Sequence, residues 1–269
     1  MPDVIGFIGA GQLGRPMVRR LLGAGHPVLV YARREEVRDR LKGNGASLAD
    51  SVADVARQCD IVITCLFSDA QFVEVATGAD GLMANVKPGT VLVSHTTGTA
   101  STLNTLATDF PDGPIVLDGP VSGTADDIAA GKLTVLLGGD PDAVERVRPV
   151  LAAYADPLIT TGALGSALNL KLINNILFAA NAQLVAAAIE VGRRLEIRDG
   201  DLLDALAVCS GGSRAAASVQ LAGGLDNFAK LAAPYLRKDV AAGVVAAEDG
   251  GVDLGRLRDV VQSGPLSLS

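Results

Sequence analysis

The sequence predicts an α/β fold: a doubly wound parallel sheet over residues 1–163, followed by an all-α domain over residues 164–269. Three observations carry this expectation. Short β-branched runs alternate with amphipathic segments through the first part of the chain. Those runs lack period-two polarity, as strands covered on both faces require. After Gly165 they vanish, and the remaining apolar residues recur at helical spacing.

In order, the expected strands are "VIGFIG" (4–9), "VLVY" (28–31), "IVITCLF" (61–67), "VLVS" (91–94), "IVLD" (115–118) and "TVLLGG" (134–139). Helices are expected between them, over 11–24, 35–42 and 48–57, and "KPGT" and "FPDGP" punctuate the turns. The stretch "ALNLKLINNILFAANAQLVAAAIEVGRRLEI" reads as one helix through 167–197. It is apolar nearly all round, so burial by other helices or by a second subunit is expected. The segments "GDLLDALAVCS", "NFAKLAAPYLRKDVAAGVVAAE" and "DLGRLRDVVQS" are also helical in pattern.

Composition narrows the function. The 269 residues are 49% hydrophobic, enough for a sizeable core. A net charge of -7, with no polybasic run, argues against nucleic acid and anionic membranes as partners. Cys59, Cys65 and Cys209 are too few and too widely spaced for a disulfide framework, so they are expected as small core residues in a cytoplasmic protein. With only His26 and His95, and no HxxxH or CxxC spacing, no metal site is expected. The run "VIGFIGA" is too short to span a bilayer.

The first chemical motif is Gly9-Ala10-Gly11-Gln12-Leu13-Gly14, between an expected strand and an expected helix. Glycines in that context turn tightly and let a pyrophosphate approach the backbone, where the free amides of a helix start stabilise it. The first domain therefore reads as a Rossmann-type dinucleotide site. A carboxylate closing the second strand would bind a ribose 2′-hydroxyl and repel a 2′-phosphate. Here that strand exits as Tyr31-Ala32-Arg33-Arg34, and two guanidiniums suit a phosphate, which favours NADP over NAD.

Two further sites stand out. Lys171 and Asn175 lie one helical turn apart in an apolar stretch and can address one ligand atom. Desolvation disfavours an ammonium and favours proton transfer, although a lone lysine there also suits a snorkelling surface residue. Ser122 and Gly123, in "DGPVSGTADD", follow a strand and could hold a carboxylate, with an ordinary turn as the equal alternative. The pair Lys238-Asp239 suggests only a solvated charge pair by composition.

Together these motifs resemble the β-hydroxyacid dehydrogenase family, the group related to 3-hydroxyisobutyrate dehydrogenase, over Val4 to about Asp239. "GFIGAGQLGRPMVRRLLGAGHPVLVYARR" is similar to its N-terminal signature, with Arg33 where NADP-preferring members carry arginine. The loops "CLFSDAQFVEV" and "GADGLMANVKPGTVLVSHTTG" imply Leu66 near the adenosine and Thr96 near the nicotinamide ribose. Ser94-His95-Thr96-Thr97 stands where the family usually has Asp-x-Ser-Thr, and Thr124 replaces a frequent glycine.

The resemblance also implies that Ser122 and Gly123 hold the substrate carboxylate, that "KLINN" supplies Lys171 as acid/base with Asn175 orienting the substrate, and that Lys238 in "YLRKDV" approaches the cofactor. Beyond that motif the chain is shorter than most members. The expected activity is NADP-dependent interconversion of a small β-hydroxy acid and its semialdehyde or keto partner, by a homodimer or higher oligomer. An imine reductase and a non-enzymatic NADP-binding regulator are the alternatives; the former usually lacks the lysine matching Lys171.

Overall fold

The computed structural model describes residues 3–268. It divides into two compact units, the second beginning at Leu172.

The first unit opens with β1 (Ile5–Ile8), α1 (Gly14–Gly23), β2 (Val28–Tyr31), α2 (Glu35–Gly43), β3 (Ser47–Leu48), α3 (Val52–Gln58) and β4 (Ile61–Thr64). It continues with α4 (Asp69–Ala76), α5 (Leu82–Asn85), β5 (Val91–Ser94), α6 (Ala100–Asp109) and β6 (Ile115–Asp118). Then come β7 (Val121–Ser122), α7 (Ala125–Ala129), β8 (Leu133–Gly138), α8 (Pro141–Leu151), β9 (Ala155–Gly162) and the start of α9 (Ser166–Arg194). The second unit holds the rest of α9, then α10 (Asp199–Val208), α11 (Arg214–Leu221), α12 (Leu225–Asp249) and α13 (Arg256–Ser263).

Among the described residues the strands form one sheet in the order β3-β2-β1-β4-β5-β6-β8-β7, with β9 paired to β8. The first six are parallel and reverse direction of winding between β1 and β4, the arrangement that opens a crevice beyond the carboxyl ends of those two strands.

The side-chain period of two sends alternate residues to opposite faces. Phe7, Val30, Ile63, Val93 and Leu117 pack on one face with α1, α2 and α8. Ile8, Leu29, Val62, Leu92 and Val116 pack on the other with α3, α4, α5 and α6. Full burial of such side chains is worth roughly 1.5–3 kcal/mol each. Both faces are therefore dry, which explains why the strand sequences are continuously apolar.

The sheet is dominated by parallel pairing, as expected, with one exception: β8 runs antiparallel to both β6 and β7. Residues 123–132, between β7 and β8, are fewer than the dozen or so that a parallel crossover requires. The longer connection through α8 restores parallel pairing for β9. That strand is missed by apolar patterning because it lies at an edge, with exposed positions and a proline at 157.

In the second unit, Ile176, Ala179, Val185 and Ile189 of α9 pack with Val219, Phe228, Leu236, Val240 and Val261. A polar side chain, Gln183, lies among them. Gln183 is buried; its Nε2 donates to the carbonyls of Val261 and Leu266 at 2.7 Å each, and its Oε1 accepts from the Leu266 amide at 2.8 Å. It thereby holds the segment after α13.

Helix α9 is long and apolar enough to cross a bilayer, but 56% of its most apolar window is buried in the protein, as in a core helix. Within the single chain the helix is not covered on every side. Leu170, Ile173, Leu177, Leu184 and Val191 remain exposed along one side.

Candidate active site

Each glycine of the opening turn meets a different constraint. Gly9 has φ +99°, and a Cβ there would stand 2.3 Å from the Cys65 carbonyl oxygen, so only glycine turns off β1 against the end of β4. A Cβ on Gly14 would lie 2.3 Å from the Gly9 carbonyl oxygen, so the missing side chain lets α1 start directly under the turn. A Cβ on Gly11 would meet nothing within 4 Å. That glycine leaves open the side from which a ligand can approach the backbone.

Gly9, Ala10 and Gly11 line one cleft of about 460 Å³ together with Arg33, Arg34 and Leu66. Gln12 is exposed, while Leu13 packs on the core and Gly14 is buried beneath the turn. Arg33 is 59% exposed and pairs at 3.6 Å with Glu74, an ion pair weak enough for a phosphate to displace. The cleft thus joins an open backbone turn to two guanidiniums.

Thr96 lies outside that lining but is tied to it, because its buried Oγ1 accepts from the Leu66 amide at 3.2 Å. The loop after Thr96 is held by Asp69, which accepts from the Thr99 amide at 2.8 Å and the Thr102 hydroxyl at 3.0 Å. Glycine at 98 is required there, since a Cβ would clash with the Asp69 carboxylate.

Ser122 closes β7 and is exposed; Gly123 follows with φ +143°. Thr124 and Asp127 form a reciprocal capping box, in which Asp127 accepts from the Thr124 amide at 2.7 Å. Lys171 is half-buried on α9, neither the sequestered lysine nor the fully solvated one. One turn on, Asn175 is buried; its oxygen accepts from Asn174 at 3.2 Å, and its Nδ2 has no hydrogen-bond partner among the described residues. Lys238 lies on α12, half-buried.

Two residues not anticipated as site residues organise the region. Asp118, at the end of β6, is fully buried and accepts from the amides of Gly165 at 2.9 Å and Leu168 at 2.8 Å. It satisfies free amides at the start of α9, three positions before Lys171. A carboxylate ending the apolar run "IVLD" was the available signal. His95 is the second, buried directly after β5 and hydrogen-bonded to Gly119 and Tyr154.

Burial pushes the thiols of Cys59 and Cys65 up to about 12, and Cys209 is exposed rather than in the core as expected. No cluster of metal-ligating side chains occurs among the described residues.

Comparison with known proteins agrees with this geometry. Residues 4–165 match the family model of the NAD binding domain of 6-phosphogluconate dehydrogenase. An uncharacterised oxidoreductase of Bacillus subtilis is 31% identical over 79% of this chain and 74% of its own length. The mitochondrial 3-hydroxyisobutyrate dehydrogenase of Rattus norvegicus is 34% identical over 71% of this chain, an alignment spanning 57% of that enzyme. Among solved structures, the Mycobacterium tuberculosis 3-hydroxyisobutyrate dehydrogenase with L-serine superposes at TM-score 0.85 and 24% identity, covering 97% of this chain and 92% of its own. An imine reductase from Pseudomonas sp. shares the fold at TM-score 0.60 and 21% identity, over 97% and 99% of the two chains. A dinucleotide turn at the reversal of the sheet order, a long lysine-bearing helix after it and these likenesses lead to one conclusion: the chain belongs to the β-hydroxyacid dehydrogenase family of NAD(P)-dependent oxidoreductases.

Proposed function

We propose that this protein uses NADP to interconvert a small carboxylate-bearing β-hydroxy acid and its semialdehyde or keto partner, in the cytoplasm and as a homodimer or larger oligomer. The observation that carries the reaction is the pair on α9: Asn175 presents a buried amide nitrogen without a partner among the described residues, one turn from Lys171. A buried donor left unsatisfied costs about 1–3 kcal/mol, and a substrate oxygen would relieve that cost.

When bound, the nicotinamide supplies the acceptor or donor of hydride. Gly9, Ala10 and Gly11 would cradle the pyrophosphate with Gln12 and Leu13 at the helix start, and Gly14 would admit that helix beneath the turn; Arg33 and Arg34 would hold the 2′-phosphate, and Leu66 and Thr96 would flank the adenosine and the nicotinamide ribose. Lys238 is assigned to the cofactor by resemblance alone. Ser122 and Gly123 hold the carboxylate through a hydroxyl and a backbone amide. For oxidation, neutral Lys171 accepts the hydroxyl proton; for reduction, its ammonium returns a proton to the forming alkoxide. Asn175 donates to the same oxygen and fixes its distance from Lys171.

For the oligomer, the support is the exposed side of α9. Leu170, Leu177, Leu184 and Val191 recur at seven-residue spacing and are 43% to 55% exposed. Such a seam is what a second helix packs against. Light scattering showing a monomer would refute it.

Following NADPH absorbance with semialdehydes and cyclic imines in parallel tests the reaction. Turnover of the carbonyl compounds, falling by about 10²- to 10⁴-fold in Lys171→Ala while NADPH still binds, is expected. Turnover of imines alone would make it an imine reductase, and tight NADPH binding with no turnover a regulator.

A further inference from the structure

His95 lies on a face of the sheet where an apolar side chain would be ordinary. Val93 and Val91, two and four residues before it, point into the same core. Its amide continues the ladder beyond β5 by donating to Thr64 at 2.8 Å. Its ring is buried and makes two hydrogen bonds, Nδ1 to the Gly119 carbonyl and Nε2 to the Tyr154 hydroxyl at 2.7 Å, with the two rings nearly perpendicular at 85°.

These partners determine where the protons are. A carbonyl can only accept, so Nδ1 carries the imidazole hydrogen and bare Nε2 accepts from Tyr154. Both groups are held neutral by burial, which lowers His95 to about 4 and raises Tyr154 well above its ordinary range. The chain Tyr154 to His95 to Gly119 therefore has one direction and no mobile charge.

Gly119 begins the turn that leads through Pro120 to Ser122. That turn is fixed residue by residue. Asp118 holds the start of α9, the Gly119 amide donates to the Ser94 carbonyl at 2.8 Å, and the Pro120 carbonyl accepts from Leu136 at 3.0 Å. A Cβ on Gly119 would come within 3.1 Å of the His95 ring, so glycine admits the imidazole. On the other side of His95 stands Thr96, bonded to the cleft-lining Leu66.

We propose that His95 is a positioning residue: it fixes the substrate turn at Ser122–Gly123 relative to the Thr96 loop, and Tyr154 holds the imidazole in the tautomer that does so. This rests on the assignment of Ser122 and Gly123 to the substrate made above. It goes further in naming what sets their place.

The test is titration calorimetry of a three-carbon β-hydroxy acid, 3-hydroxypropanoate, onto the enzyme carrying NADP, alongside kcat and KM for its oxidation. His95→Leu should raise Kd and KM by about tenfold or more, with NADP affinity within about twofold of wild type. His95→Asn, which keeps a donor near the place of Nδ1, should recover most of the loss, and Tyr154→Phe should move in the same direction by less. Unchanged KM in His95→Leu, no recovery in His95→Asn, or an equal loss of NADP affinity would overturn the proposal. If His95→Leu does not fold, His95→Asn and Tyr154→Phe carry the comparison, and an unchanged KM in Tyr154→Phe overturns the tautomer role. Ser122→Ala separates the two readings. A large effect there with none at His95 defeats this proposal alone, and no effect at Ser122 defeats both.

Discussion

The two units bury polar groups for different ends. In the sheet unit, Asp118 and His95 sit at strand ends and hold loops that carry candidate ligand contacts. In the helical unit, Gln183 sits mid-helix and holds α13 and the chain after it. The same device, a buried side chain satisfied by backbone groups, fixes turns and a helix start beside candidate site residues in one unit and packing in the other. The difference teaches that burial and hydrogen bonding alone do not mark a functional residue; the neighbour that is held decides it.

The largest expected effect breaks the sheet unit. Gly9→Ala places a side chain on backbone at 2.3 Å and at φ +99°, so a loss of about 3 kcal/mol or more, read by denaturant unfolding, should accompany loss of NADPH binding. Gly11→Ala, with open space before it, should fold as wild type and lose only nucleotide affinity.

Acid should act next, and through the same unit. Burial lowers His95 from 6.5 to about 4, so the unfolded chain binds its proton first as pH falls. The stability held by the neutral ring is complete above about pH 6.5 and falls by about 3 kcal/mol in total as pH drops toward 4. Comparing unfolding of wild type and His95→Asn across that window isolates the contribution. Parallel curves would contradict it.

Gln183→Leu should sharpen the contrast from the other side. It leaves the carbonyls of Val261 and Leu266 and the amide of Leu266 without this partner, at a cost of about 2–3 kcal/mol in thermal or denaturant unfolding. NADPH affinity should not change. The smallest effect is expected at Arg33→Ala, which should weaken NADPH by about tenfold with NADH unaffected, because the arginine is exposed and its present pairing with Glu74 is weak. Equal affinities in the variant and the wild type would remove the phosphate clamp.

What could be read from the chain alone follows the physics of each element. The central strands were legible because two-sided burial makes them continuously apolar, and the glycine turn because Gly9 and Gly14 stand where a Cβ would strike backbone while Gly11 leaves the approach to the backbone open. Strands β3 and β7 are too short for periodicity, and β9 hides its pairing behind an exposed edge. Lys171 drew notice as a charge in an apolar run, whereas Asp118 and His95 did not, since their partners are backbone groups distant in sequence. The apolar excess of α9 was legible, but which side the core covers was not, because an apolar residue looks the same whether the core or a second subunit covers it.

The grip of Asp118 on the amides of Gly165 and Leu168 also sets a rotational phase. Each residue of an α-helix advances the side chains by about 100° about its axis. Because the first turn of α9 is clamped to the end of β6, the azimuth of Lys171 is inherited from a strand rather than chosen by the helix. One residue inserted between Leu168 and Lys171 would leave the clamp closed and swing the lysine about a quarter turn away, converting a change of sequence length into a change of direction.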